Sequence, residues 1–211
     1  MEENKNLSAE RSLEIIRESI ERSQRAISKN SSVSLMWWGA LVVVFSLLVA
    51  YLWTNHGGPW WNWLWAVMWV LGYLGERVME RRKDKVPTTF VGKTIGQVWG
   101  VFGFFCGAIG LILGLAGASA IPAEAILPDG PRAHLYINIT SIISLCFGIA
   151  STITGFIIRN RIIQVCGFVA GLGGFFGALH YPWVEQMYVM AVVAVIGLIV
   201  PGQVIYFQNK K

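Results

Sequence analysis

Charge is missing from most of this chain. Only 14% of its 211 residues are Asp, Glu, Lys or Arg, where soluble domains carry about 25%. The charges are clustered, and whole stretches of about twenty residues hold none, a length that crosses a hydrocarbon core of about 30 Å. That excludes a water-soluble fold, which needs charge on every surface helix. Cysteine is scarce as well. Cys106, Cys146 and Cys166 fall inside apolar runs with no Cys-x-x-Cys spacing. They read as small apolar filler, without a disulfide framework or a metal knuckle. There is no His-Glu-x-x-His, Gly-x-Ser-x-Gly or P-loop, so no enzyme and no cofactor is expected. No acid or base lies deep within a run, which argues against a proton-coupled carrier. The first run, from about Leu35, has no small-residue cleavage site behind it, so it is expected to remain as a span.

What the chain does have is apolar length: 55% of its residues are hydrophobic. Six runs, roughly 35–54, 60–78, 94–117, 135–158, 162–179 and 184–207, are expected to be transmembrane helices. Sixteen of the seventeen Lys and Arg residues then fall on one side. Lys5 to Lys29 precede the first run, Arg77 to Lys93 join the second to the third, Arg159 and Arg161 join the fourth to the fifth, and Lys210 and Lys211 end the chain. Arg132 alone lies opposite. Positive charge gathers on the cytoplasmic side, so both termini are expected there. The net charge of +5 records this sorting, and nucleic acid is not an expected partner.

Tryptophan marks the boundaries. Trp37 and Trp38 stand at the inner edge of the first run and Trp53 at its outer edge. Trp60, Trp61 and Trp63 open the second run and Trp183 the sixth. Indole has an apolar body and one N–H donor, which suits the headgroup level. Trp65 and Trp69 lie deeper and are candidates for packing between helices. The longest outer loop, about 118–134, contains an Asp129-Gly130-Pro131 turn.

Residues 8–29 read as a separate charged helix. Ser8 is its candidate cap, and Leu13, Ile16, Ile20 and Ile27 share one face. Asn30-Ser31-Ser32 is expected to end it, with Ser34 capping the first span. The stripe is narrow and lacks aromatics, unlike a helix that inserts into headgroups. It is expected to dock on the bundle's cytoplasmic face or on a partner. The domain reading is therefore a cytoplasmic helix and linker over 1–33, a six-helix membrane domain over 34–208, and a tail over 209–211. The fold class is all-α.

Small residues suggest where spans meet, because lipid supplies no hydrophobic drive between helices and close backbone approach must do so. Gly103, Gly107, Gly110 and Gly114 line one face of the third run, and Gly167, Gly171 and Gly174 one face of the fifth. Spans three, four and five are expected to form the packed centre, with Gly110→Leu far more damaging than Leu111→Ala. The fourth run carries a polar stripe that includes Asn138, Ser141, Ser144 and Thr152. It reads either as interhelical hydrogen bonding or as the lining of a small-solute pore. His56, His134 and His180, the only histidines, all fall on the outer side and are weak candidates for a Zn²⁺ or Cu²⁺ site. Each comes from a different loop, and no pair has helical spacing.

One stretch carries a resemblance. Ser12-Leu13-Glu14-Ile15-Ile16, then Asn30-Ser31, Leu35, Trp38-Gly39 and Leu41-Val42 resemble the opening of a group of small uncharacterised bacterial six-span integral membrane proteins. Val86, Thr89 and Trp99 extend the likeness to about residue 100. The group usually has a Trp where this chain has Ala40. The resemblance implies a bacterial inner membrane and no particular chemistry.

The expected role is a non-enzymatic membrane module, surrounded by lipid, that acts through a cytoplasmic protein partner or a homo-oligomer at residues 8–29. The alternative is a channel or transporter lined by the fourth span. The sidedness has a direct test. A cysteine replacing Lys83 should react with a membrane-impermeant maleimide only after the bilayer is opened, whereas one replacing Asp129 should react in intact cells. Labelling of Lys83→Cys from outside would reverse the topology.

Overall fold

The computed structural model describes residues 2–82, 90–115, 120–125, 133–181 and 183–208. The helices are α1 (Glu2–His56), α2 (Leu64–Arg82), α3 (Phe90–Leu115), α4 (Ile139–Ile158), α5 (Arg161–His180), α6 (Glu185–Ala194) and α7 (Val200–Gln208). A 3-10 turn, Pro59–Trp63, leads into α2, and a π-helical turn, Val195–Ile199, joins α6 to α7. Five helical stretches are long and apolar enough to cross a membrane: Ser32–His56, Gly92–Leu115, Ile139–Ile158, Arg161–His180 and Glu185–Gln208. The protein is a helical membrane bundle. α2 is not among the five, because its inner half carries Glu76, Arg77, Glu80, Arg81 and Arg82.

Three expectations are corrected. The helix at 8–29 does not end at Asn30-Ser31-Ser32. It runs unbroken into the first span as a single 55-residue helix, so the 33/34 boundary falls inside α1. Ser and Asn are only mildly unfavourable within a helix, by about 0.5 kcal/mol each, and neither Gly nor Pro occurs before Gly39.

The all-α reading holds, since the structure is almost entirely helical, but the start of the fourth span shifts. Ala120–Ala125 (β1) and Ala133–Asn138 (β2) form an antiparallel pair, with Pro122 opposite Tyr136 and Glu124 opposite His134. Leu135 to Ile137, expected to begin the fourth span, lie in β2, where aromatic and β-branched residues fit a pleated strand. The Asp129-Gly130-Pro131 turn lies outside the described residues, as do Lys83, Lys85, Val86, Thr89, Arg132 and the tail 209–211.

The third correction concerns the centre. α4 and α5 are joined by a tight turn in which Arg159 adopts φ 58°. Asn160 caps α5 by accepting from the Ile162 N–H at 2.9 Å. The two helices then touch backbone to backbone. A Cβ on Gly171 would lie 2.7 Å from the Gly148 Cα, and one on Gly167 would lie 2.7 Å from the Thr152 nitrogen. Neither position has room for a side chain. α3 behaves differently. Gly107, Gly110 and Gly114 have no neighbouring atom within 4 Å of where a Cβ would stand, and only Gly103, against Trp69, is met. Just 6% of α3's apolar span is buried, against 50% for α4. α3 is held through Trp99 and Phe102, which meet Phe147 of α4 edge-on at 5.7 and 6.1 Å.

α1 packs along α6 and α7. Gly39 faces Leu198 and Ile199 of the π turn, and Gly202 faces Met36 and the Ser32 carbonyl. Within the π turn, the Val200 N–H donates to the Val195 carbonyl. Pro201 follows directly and has no N–H to continue an α-helical ladder, so the wider turn accommodates it. Leu35, Phe147, Ile163, Ala170, Val193, Leu198 and Ile205 form the main core. Val49, Ala50 and Met187 form a second, outer core beneath Trp53, Trp61 and Trp65.

These contacts reverse the expected ranking of glycines. Gly148→Leu should sharply lower the thermal midpoint in detergent, with an overpacking cost of at least about 1–3 kcal/mol. Gly110→Leu should leave it unchanged. Equal losses would contradict the α4–α5 seam.

Candidate functional site

The polar stripe of α4 is buried at Ser141, Ser144, Ser151 and Thr152, and α5 stands against two of them. A Cβ on Gly174 would lie 2.8 Å from the Ser144 Cβ, and one on Gly167 would lie 2.6 Å from the Thr152 Oγ1. Asn138 acts as a clasp. Its Oδ1 accepts from the Ser141 N–H at 2.9 Å and the Ser141 hydroxyl at 2.7 Å. Its Nδ2 donates to the Ala178 carbonyl at 2.5 Å, tying the start of α4 to the end of α5. Thr154 turns its hydroxyl back onto the Ala150 carbonyl at 2.8 Å. The hydroxyls of Ser46, Ser144, Ser151 and Thr152 and the Gln186 Oε1 are buried without a hydrogen-bond partner among the described residues.

The three histidines lie on separate elements. His56 ends α1 and meets the Trp61 ring at 6.1 Å. His180 ends α5 and meets Tyr181 at 5.0 Å. His134 lies in β2. Among the described residues, no group of three His, Cys, Asp or Glu side chains comes together as a metal site.

The most organised polar constellation is one that sequence reasoning passed over. Near the inner end of the first span, the Glu76 carboxylate of α2 accepts from the Ser34 hydroxyl at 2.5 Å and from the Trp38 indole N–H at 2.8 Å. Ser34 thus clamps α2 and does not cap a helix. Trp37 donates to the Gly72 carbonyl at 3.3 Å. The two indoles seat on glycines, Trp38 over Gly72 and Trp37 over Gly75. Trp38 also leans on Trp69 at 5.2 Å, and Trp69 rests on Gly103 of α3. A belt reading of Trp37 and Trp38 is therefore incomplete, because both rings lock α2 onto α1. The signals were present in the Trp37-Trp38 doublet, the Gly72/Gly75 spacing and the lone acid at the edge of the run. Trp60, Trp63 and Trp183, by contrast, are exposed.

Beside the clamp, Tyr73, Glu76, Arg77 and Glu80 line an open groove. Arg77 lies over the Tyr73 ring at 5.0 Å and donates through Nε to its hydroxyl at 2.9 Å. Chemically, the arrangement fastens one helix to another at a membrane boundary. The chain matches no family model, no curated protein and no solved structure.

A hydrogen bond to a charged acceptor contributes about 1.5–3 kcal/mol. Trp38→Phe and Glu76→Leu should each destabilise the bundle by about that much, and the double variant by clearly less than the sum. A double-mutant cycle of detergent unfolding measures it, and strict additivity would dissolve the clamp.

Proposed function

We propose that this chain is a non-enzymatic scaffold of a bacterial inner membrane, crossing it six times with both termini in the cytoplasm and holding a rigid helical rod out from the bilayer. The continuity of α1 carries the reading. The apolar span begins at Ser32, while the helix begins at Glu2. The intervening thirty residues extend about 45 Å at 1.5 Å per residue. Leu13 and Ile15 on this rod are 66% and 62% exposed, which gives it apolar surface to offer a partner or a second copy.

α2 supplies the sixth crossing. Its outer end carries the tryptophans of the Pro59–Trp63 turn, and its charges gather at the inner end, the polarity a crossing needs. The carboxylate nearest the apolar zone, Glu76, is sheathed by Ser34 and Trp38. An even number of crossings agrees with the sorting of Lys and Arg.

The competing reading, a pore lined by α4, rests on the unpartnered hydroxyls of Ser144, Ser151 and Thr152. The backbone contacts of Gly167 and Gly174 against that stripe favour a closed seam. Removing residues 2–31 should abolish co-purification of a partner or an oligomer while leaving the thermal midpoint of the bundle intact. In proteoliposomes the full chain should pass no solute above protein-free vesicles. A flux that Thr152→Val abolishes would replace the scaffold with a channel.

A further inference from the structure

We propose that the occupant of the rod is a second copy of this chain, with residues 6–27 of two α1 helices pairing in parallel as a two-stranded coiled coil. This rests on the scaffold reading and names its partner.

The register comes from the stripe. Taking Leu13, Ile20 and Ile27 as a positions puts Ala9 and Ile16 at d, over about three heptads, near the lower limit for a coiled-coil pattern. Asn6 at a and Ser23 at d are polar exceptions, and polar seam residues select register and oligomer number at a cost in stability. Leu13, on the seam, is 66% exposed within a single chain. The charges stand off the seam. Arg11, Glu18 and Arg25 occupy f, and Glu14 and Glu21 occupy b.

Charge and geometry then select the occupant. A parallel pair sets each g residue against the e residue five positions on in the partner. Lys5 meets Glu10 with opposite charge, while Ser12, Ser19 and Ala26 oppose Arg17, Gln24 and Ser31 without repulsion. Copies in one membrane share an orientation, and the rod is continuous with its span. A two-fold axis along the membrane normal therefore demands parallel helices. An anionic surface or nucleic acid fits less well, because residues 2–31 hold six acids and six bases.

The same heptad continues into the membrane. Seven residues past Ile27 is Ser34, and three further is Trp37, both of which hold α2. Inside the bilayer this face is already covered by the chain itself. Outside, past Arg82 at the end of α2, Leu13 leaves this face open to a second copy. A seam this short is weak in solution, but confinement to one membrane raises its effective concentration.

Site-directed cross-linking in membranes tests the proposal, using full-length chain with Cys106, Cys146 and Cys166 replaced by alanine. Under mild copper–phenanthroline oxidation, Leu13→Cys and Ile20→Cys should form disulfide dimers at least about tenfold faster than Arg11→Cys and Glu18→Cys, since only seam positions share a high local concentration. Leu13→Asp combined with Ile20→Asp should abolish the cross-linking of Ile27→Cys in the membrane without lowering the thermal midpoint of the bundle. Equal cross-linking at all four positions, or none, overturns the coiled coil. If a different protein is still lost on deleting residues 2–31, the scaffold reading survives and only the second copy falls. If deletion changes nothing that co-purifies, both fall.

Discussion

Close approach at glycine is the constraint on which this bundle depends. In a bilayer the apolar faces of two helices gain nothing by leaving lipid for each other, so association comes from contact and from polar groups that lipid cannot satisfy. Each major junction here follows that rule. α4 meets α5 at Gly148, Gly167 and Gly171, α1 meets the α6–α7 unit at Gly39 and Gly202, and α2 takes the indoles of α1 onto Gly72 and Gly75. Where a glycine has nothing opposite, as along the outer half of α3, the helix is the least buried in the bundle. Proximity to glycine and depth of burial are one observation made in two ways.

Polar side chains then fix what the glycines bring together. Asn138 fastens the outer end of the α4–α5 pair, Asn160 caps its inner turn, and Glu76 fastens α2 to α1. All three stand near helix ends, where unpaired backbone or charge is closest to the headgroups. The interior hydroxyls of α4 differ. Ser144 is small enough to lie against Gly174 of α5, and both Ser144 and Ser151 are buried without a hydrogen-bond partner among the described residues. Their smallness, more than their polarity, accounts for their positions.

Much of this was legible in the amino-acid order, and the failures have physical causes. Apolar length located the five long spans to within a few residues, since the bilayer sets one thickness for all of them. The α4–α5 seam was legible because small residues occur on both partners. The α3 stripe misled because spacing alone does not say whether a neighbour stands opposite. Asn30-Ser31-Ser32 read as a stop because those residues favour caps. With helix on both sides and no Gly or Pro between, their small penalty was outweighed by the uninterrupted ladder. The strand pair was hidden in a loop whose strand residues, Leu135 to Ile137, looked like the start of a span. The Glu76 clamp stayed invisible because it joins residues 42 and 38 positions apart, and no local pattern reports such a distance.

One helix face of α1 shows how two solvents impose two codes. Within the membrane zone the heptad positions of that face are Ser34 and Trp37, which, with Trp38, grip α2 through a carboxylate, a carbonyl and glycine notches. Toward the N-terminus the same positions become Ile27, Ile20, Ile16 and Leu13. The exchange follows the medium. In lipid an aliphatic stripe has no preference for another helix, so specificity must come from shape and hydrogen bonds. In water, burying the same aliphatic groups is favourable by about 25 cal/mol per Å², and no polar grip is needed. The change falls between Ile27 and Ser34, around Ser32 where the apolar span begins. A break in the helix there would let the two halves of the face turn independently. Because α1 continues without one, the two halves of the face belong to one unbroken helix.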